Sequence, residues 1–131
     1  MKTRQKNNRP YFDLNRGEEY VAVSPAALRR IGSPNFVRFW WNLKDPAVII
    51  EPIDMNDPNA IEVEAEIYEQ NKPLIFYSCD IFIENLWNHK WDIDDCYRVP
   101  IMTYGLKNNA IMFDMKDAVV NNAFEYEIEY C

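Results

Sequence analysis

The stretch Tyr20-Val21-Ala22-Val23-Ser24-Pro25-Ala26-Ala27-Leu28-Arg29-Arg30-Ile31-Gly32 carries a strand, a helix cap, a helix and its stop. The apolar run Tyr20–Val23 reads as a strand. Ser24 has the hydroxyl that an N-cap needs, and Pro25 sits at the first helical position, where its missing N–H costs nothing. Gly32 ends the helix, and Ser33-Pro34 prevents its resumption. Phe36–Trp41 and Ala47–Ile53 follow as a predicted hairpin joined through Asn42-Leu43-Lys44-Asp45-Pro46.

The same order returns further along. Leu74-Ile75-Phe76-Tyr77 leads into Ser78, a helical stretch ending near Asn88, and predicted strands at Cys96–Tyr104 and Ala110–Asp114. Ser24 precedes Ser78, and Leu28 precedes Phe82, by 54 residues; Val48 precedes Ile111 by 63. A repeat of this length predicts one pseudo-symmetric domain in which each unit supplies half of the core. The expected division is a basic arm and short strand over 1–19, then a single domain over 20–131. Its repeats lie at about 20–69 and 73–131. Leu28, Ile31, Val37, Phe39, Ile49, Phe82, Leu86, Tyr97, Val99 and Ile111 are the expected core. Trp40 and Trp41 are adjacent in a strand, so they point to opposite faces, and one of them is a candidate to leave the core.

Outside the repeat, Tyr11–Leu14 predicts a short strand turned by Asn15-Arg16-Gly17, and Asp54–Asn59 a linker. Ile61, Val63, Ala65 and Ile67 alternate with Glu62, Glu64 and Glu66, as Phe124, Tyr126, Ile128 and Tyr130 do with Glu125, Glu127 and Glu129. A period of two predicts two half-buried strands, each with a row of carboxylates on its open face. Such rows match the spacing of successive phosphates and make a candidate surface for a basic protein, with Trp40 as an apolar neighbour.

Charge is divided unevenly. The chain of 131 residues has a net charge of −7, yet residues 1–50 hold nine Lys/Arg against four Asp/Glu, and residues 51–131 hold five against seventeen. The first half suits a polyanion and the second repels one. Three cysteines with no C-x-x-C pair point to a reduced, cytoplasmic protein, and no apolar run is long enough to span a bilayer.

The sequence carries no recognisable catalytic or metal-binding pattern. His89 is the single histidine, the three glycines are dispersed, and the three serines sit at caps and turns. An EF-hand loop beginning at Asp92 would need Gly and Glu where Tyr97 and Thr103 stand. Neither an enzyme, a metal site nor a cofactor is expected.

The motif Pro25-Ala26-Ala27-Leu28-Arg29-Arg30 between a strand and a hairpin resembles the AbrB/SpoVT family of swapped-hairpin barrels. The resemblance implies a mainly β fold with two short helices, arranged as a pseudo-two-fold swapped-hairpin barrel. The tandem, MraZ-like form has two units in one chain. It also implies a transcriptional regulator that binds DNA through Arg29 and Arg30, and a homodimer. Lys6, Arg9 and Arg38 are the further basic candidates of the first half. The second unit, Ser78-Cys79-Asp80-Ile81-Phe82-Ile83, has neither the proline nor the arginines, so DNA binding is expected to be weak. The competing expectation is an acidic protein-binding inhibitor, of antitoxin or phage anti-defence type, whose partner is a basic, nucleic-acid-handling protein. No membrane contact is expected in either case.

Overall fold

Hairpins, caps and one serine hydroxyl organise the chain, as the computed structural model shows for residues 9–42, 44–77 and 80–121. Strand β1 (Phe12–Asn15) turns into β2 (Tyr20–Val23), and helix α1 (Pro25–Arg30) follows directly. Buried Ser24 joins all three: its hydroxyl accepts from Ala27 N–H, capping the helix, and from Tyr11 N–H at 2.9 Å, fixing the start of β1. Gly32, at φ +90°, closes α1 in a left-handed conformation that a Cβ would oppose.

The remaining elements are β3 (Phe36–Asn42), β4 (Ala47–Pro52), β5 (Ile61–Glu62), α2 (Ala65–Glu69), β6 (Leu74–Tyr77), α3 (Asp80–Leu86), β7 (Tyr97–Val99), β8 (Ile111–Asp114) and β9 (Val119–Val120). The fold is mainly β. A first sheet has the order β6-β2-β1-β7-β9 and a second the order β5-β3-β4-β8, every pairing antiparallel. Both sheets take strands from both halves of the chain. Their inner faces share one core, where Phe12 stacks on Phe113 and Phe39 meets Phe76 edge to face. Among the described residues the sheets stay open; they do not close into a barrel.

One hairpin pairing recurs at the spacing of the expected repeat. β2 and β6, one 54-residue step apart, are antiparallel neighbours, paired from Tyr20–Tyr77 to Val23–Leu74. β4 and β8, one 63-residue step apart, are likewise antiparallel neighbours, with Ile49 facing Met112. The same step carries the hairpin pair Trp40–Ile49 onto the bridge Thr103–Met112, which holds two backbone hydrogen bonds of 2.9 and 2.8 Å. The symmetry stops at β7, which pairs with β1 in the first sheet instead of extending the second hairpin.

Further expectations are corrected. Residues 61–67 are not one strand: β5 ends at Glu62, and Glu64 is the N-cap residue of α2, a third short helix. Val63 and Ile67, four apart and both buried, suit a helix entry as well as they suit alternation. Glu62, Glu64 and Glu66 therefore do not form a row on one strand face. Ile49 is only half-buried, because Val48 and Ile50 hold the inward positions of β4 and turn it outward. The predicted strand at residues 96–104 keeps regular pairing only over Tyr97–Val99. The second glutamate row (Glu125, Glu127, Glu129), Lys6, Ser78 and the side chain of Phe82 lie outside the described residues. The other expected core residues are buried, except Phe39, which packs half-buried against the core.

Candidate functional site

The outer face of the second sheet holds the most concentrated polar and aromatic chemistry described. Antiparallel partners share a face, so the register places Phe36 beside Glu62, Arg38 beside Glu51, and Trp40, Ile49 and Met112 in one row that the bridge extends to Thr103. The Arg38 guanidinium forks onto Glu51 through Nε at 3.0 Å and Nη2 at 2.7 Å, and its Nη1 donates to Asp57 at 2.9 Å. Trp40 Nε1–H donates to the same Glu51 oxygen, and the guanidinium lies over the Trp40 ring, 4.5 Å from its centre. Asn108 from the turn Lys107–Asn109 reaches the other Glu51 oxygen at 3.5 Å.

These contacts decide the charge state. Burial pushes the Glu51 carboxyl up, but the hydrogen bonds from Trp40 and Arg38 and the Arg38 charge outweigh it, holding the group below the ordinary carboxylate range. Glu51 is 5% exposed while Trp40 is 47% exposed. The arrangement buries the carboxylate and presents the indole. A large ring held through its N–H and one face, with its remaining surface open, is a preorganised contact group.

The linker takes part in the site. Asp57 accepts from Asn59 N–H at 2.8 Å and from Arg38, so the Asp54–Asn59 segment is latched to the sheet. Of the candidate glutamates, Glu62 is exposed on this face; Glu64 and Glu66 are exposed where α2 begins. Glu66 sits in the first turn of α2, where a carboxylate suits the helix dipole.

The candidate basic residues are dispersed. Arg29 and Arg30 are exposed in the last turn of α1, and Arg9 is exposed on the segment before β1. Arg29 donates to Asn71 at 3.1 Å and to the Tyr68 carbonyl at 3.0 Å, and Arg30 stacks on the Tyr104 ring at 4.3 Å. Pro10, Ala26, Arg29 and Arg30 line an open depression of about 460 Å³. Arg38 belongs to the carboxylate cluster on the second sheet. Residue-type patterns singled out Trp40 and Arg38 but not Glu51, Asp57 or Asn108. The missed signal was a lone carboxylate closing the apolar run Val48-Ile49-Ile50, directly opposite the lone arginine of the other strand of the hairpin.

Among the described residues, no cluster of His, Cys, Asp or Glu is arranged to hold a metal ion, and no helix is long and apolar enough to cross a membrane. No protein-family model, curated protein or solved structure matches the chain.

Proposed function

We propose that the protein is a non-enzymatic binding module whose contact face is the outer face of the second sheet, with Trp40 as its anchor and a basic protein surface as its partner. The observation that carries this reading is the fixed but half-exposed Trp40 indole beside an excess of carboxylates. Glu51 and Asp57 hold Arg38, Glu62 follows along the same face opposite Phe36, and Asp114, with Lys116 at 3.7 Å, lies at the far end of the face. An aromatic anchor inside an acidic rim suits a partner that offers Lys or Arg around an apolar patch. Inhibition of a nucleic-acid-handling protein is one use of such a face.

Capture from a nuclease-treated lysate tests it. Trp40→Ala should lose the retained proteins, and Glu62→Lys should slow their association more than Glu66→Lys, because Glu62 shares the face with Trp40. Equal capture by all three variants would remove the proposal.

A second reading, a weak DNA-binding regulator, is favoured by the depression between Pro10, Ala26, Arg29 and Arg30 and by exposed Arg9 beside it in the chain. Duplex retardation at low salt should then fall with a log–log slope of about −0.9 per phosphate neutralised, and Arg29→Ala with Arg30→Ala should flatten it. No retardation at low salt would eliminate this reading. The finer fold proposal, two interlocked AbrB/SpoVT-like hairpin units, is supported by the pair Trp40–Ile49, which recurs 63 residues on as the bridge Thr103–Met112. An experimental structure in which residues 20–53 did not superpose on 74–116 by rotation would overturn it.

A further inference from the structure

Positive charge gathers at the end of helix α1 in a chain that is acidic overall. Arg29 and Arg30 stand exposed in the last turn of the helix. The turn Lys107–Asn109 is tied to this end by Asn109 Nδ2, which donates to the Ile31 carbonyl at 3.1 Å. Asn71, which accepts from Arg29, brings the adjacent Lys72 to the same place. Arg9 is exposed next to Pro10, and Pro10 lines the depression with Arg29 and Arg30. Basic residues from four separate segments therefore converge, although the net charge is −7. Exposed Glu69 is the one carboxylate within three residues of any of them in sequence.

The donors at this end are not equally engaged. The helix's own last carbonyls are answered by backbone N–H groups and by Asn109. Arg29 donates to Asn71 and to the Tyr68 carbonyl. Arg30 is held differently: its guanidinium lies 4.3 Å from the centre of the Tyr104 ring, and among the described residues no group accepts a hydrogen bond from it. The stack fixes the guanidinium plane and leaves its fork of N–H donors for an acceptor. Tyr104 is 58% exposed, so its ring also offers surface to a planar group.

A guanidinium fork matches phosphate oxygens, and an exposed ring beside it matches a base. The depression of about 460 Å³ is of the size that holds a small molecule. We propose that it binds a nucleotide, free or at the end of a single strand, with its phosphate on Arg29 and Arg30 and its base against Tyr104. Arg9, Lys72 and Lys107 raise the local potential that draws the phosphate in. Arg29 and Arg30 also serve the second reading above, but nucleotide binding needs no duplex, so either can fail alone.

Calorimetric titration of the full chain tests it, with adenosine 5′-monophosphate, adenosine, inorganic phosphate and a 5′-phosphorylated single-stranded octanucleotide as probes. The monophosphate should bind with a Kd below about 1 mM, about tenfold or more tighter than phosphate or adenosine. Arg30→Ala should weaken it about tenfold or more, as loss of a charge-assisted hydrogen bond does. Tyr104→Ala should weaken the monophosphate more than it weakens inorganic phosphate, whereas Tyr104→Phe should retain both. Lys90→Ala, on the loop after α3, should change neither. Circular dichroism of each variant should match that of the wild type, since all three positions are exposed. Binding of the octanucleotide without the free monophosphate would support the site and make a strand end its source. Equal binding of phosphate and monophosphate, or unchanged binding in folded Arg30→Ala and Tyr104→Ala chains, would overturn the proposal. A chain that retards a duplex but binds none of the four probes would keep the second reading and eliminate this one.

Discussion

Two arginines in this molecule are placed alike and surrounded differently. In the first sheet Arg98 faces Asp13 across the β1–β7 pair, gripping both oxygens at 2.7 and 2.9 Å, with its guanidinium 3.7 Å from the centre of the Tyr11 ring. In the second sheet Arg38 faces Glu51 across β3–β4 and lies over Trp40. Both units combine an arginine, a carboxylate on the neighbouring strand and an aromatic ring. The difference is the ring: Tyr11 is 8% exposed and Trp40 is 47% exposed. One unit is sealed within the fold, while the other holds its ring out to solvent. The comparison separates an ion pair that supports the sheet from one that positions a contact group.

Removing a carboxylate from each unit should therefore have unequal effects. Asp13→Ala removes both oxygens that Arg98 grips, where the side chains of the pair are 1% and 14% exposed, and should cost about 3–5 kcal/mol of unfolding free energy in urea titration. Glu51→Ala should cost less, about 1–3 kcal/mol, because Arg38 is 23% exposed and keeps Asp57 as a partner. The same change frees the Trp40 indole N–H, so its fluorescence should shift even though the fold survives. Equal losses in both variants would break the distinction.

Acid sharpens it further. Glu51 titrates lower in the folded chain than in the unfolded one, so its contribution to stability is present above the ordinary glutamate value of about 4.3. That contribution is lost as pH falls through the lowered folded value. Fluorescence from Trp40 should follow this loss, and in Glu51→Gln the dependence should disappear. The smallest effect on stability belongs to Trp40→Ala, expected at under about 1 kcal/mol because the ring is half-exposed and its partners retain each other.

How much of this was legible beforehand follows from sequence distance. The Ser24-Pro25 cap, the Gly32 stop and the hairpin β3–β4 are local, and each was readable from a few residues. Residues 61–67 were misread because spacings of two and of four coincide at Val63 and Ile67. The two arginine units were invisible as units: Asp13 and Arg98 are 85 residues apart, and Arg38 finds Asp57 through a linker that looked merely polar. Their one sequence signature is a lone charge inside an apolar strand, which has meaning only once the opposite strand is known.

The central claim is that Trp40 is a contact group and Tyr11 is not. It is tested most directly by comparing quantitative capture by the wild-type chain and Trp40→Ala from one nuclease-treated lysate, with melting temperatures measured alongside. The predicted result is that Trp40→Ala melts within a few degrees of wild type and loses the proteins that the wild type retains. Retention of the same proteins in the same amounts by a folded Trp40→Ala chain would contradict the account.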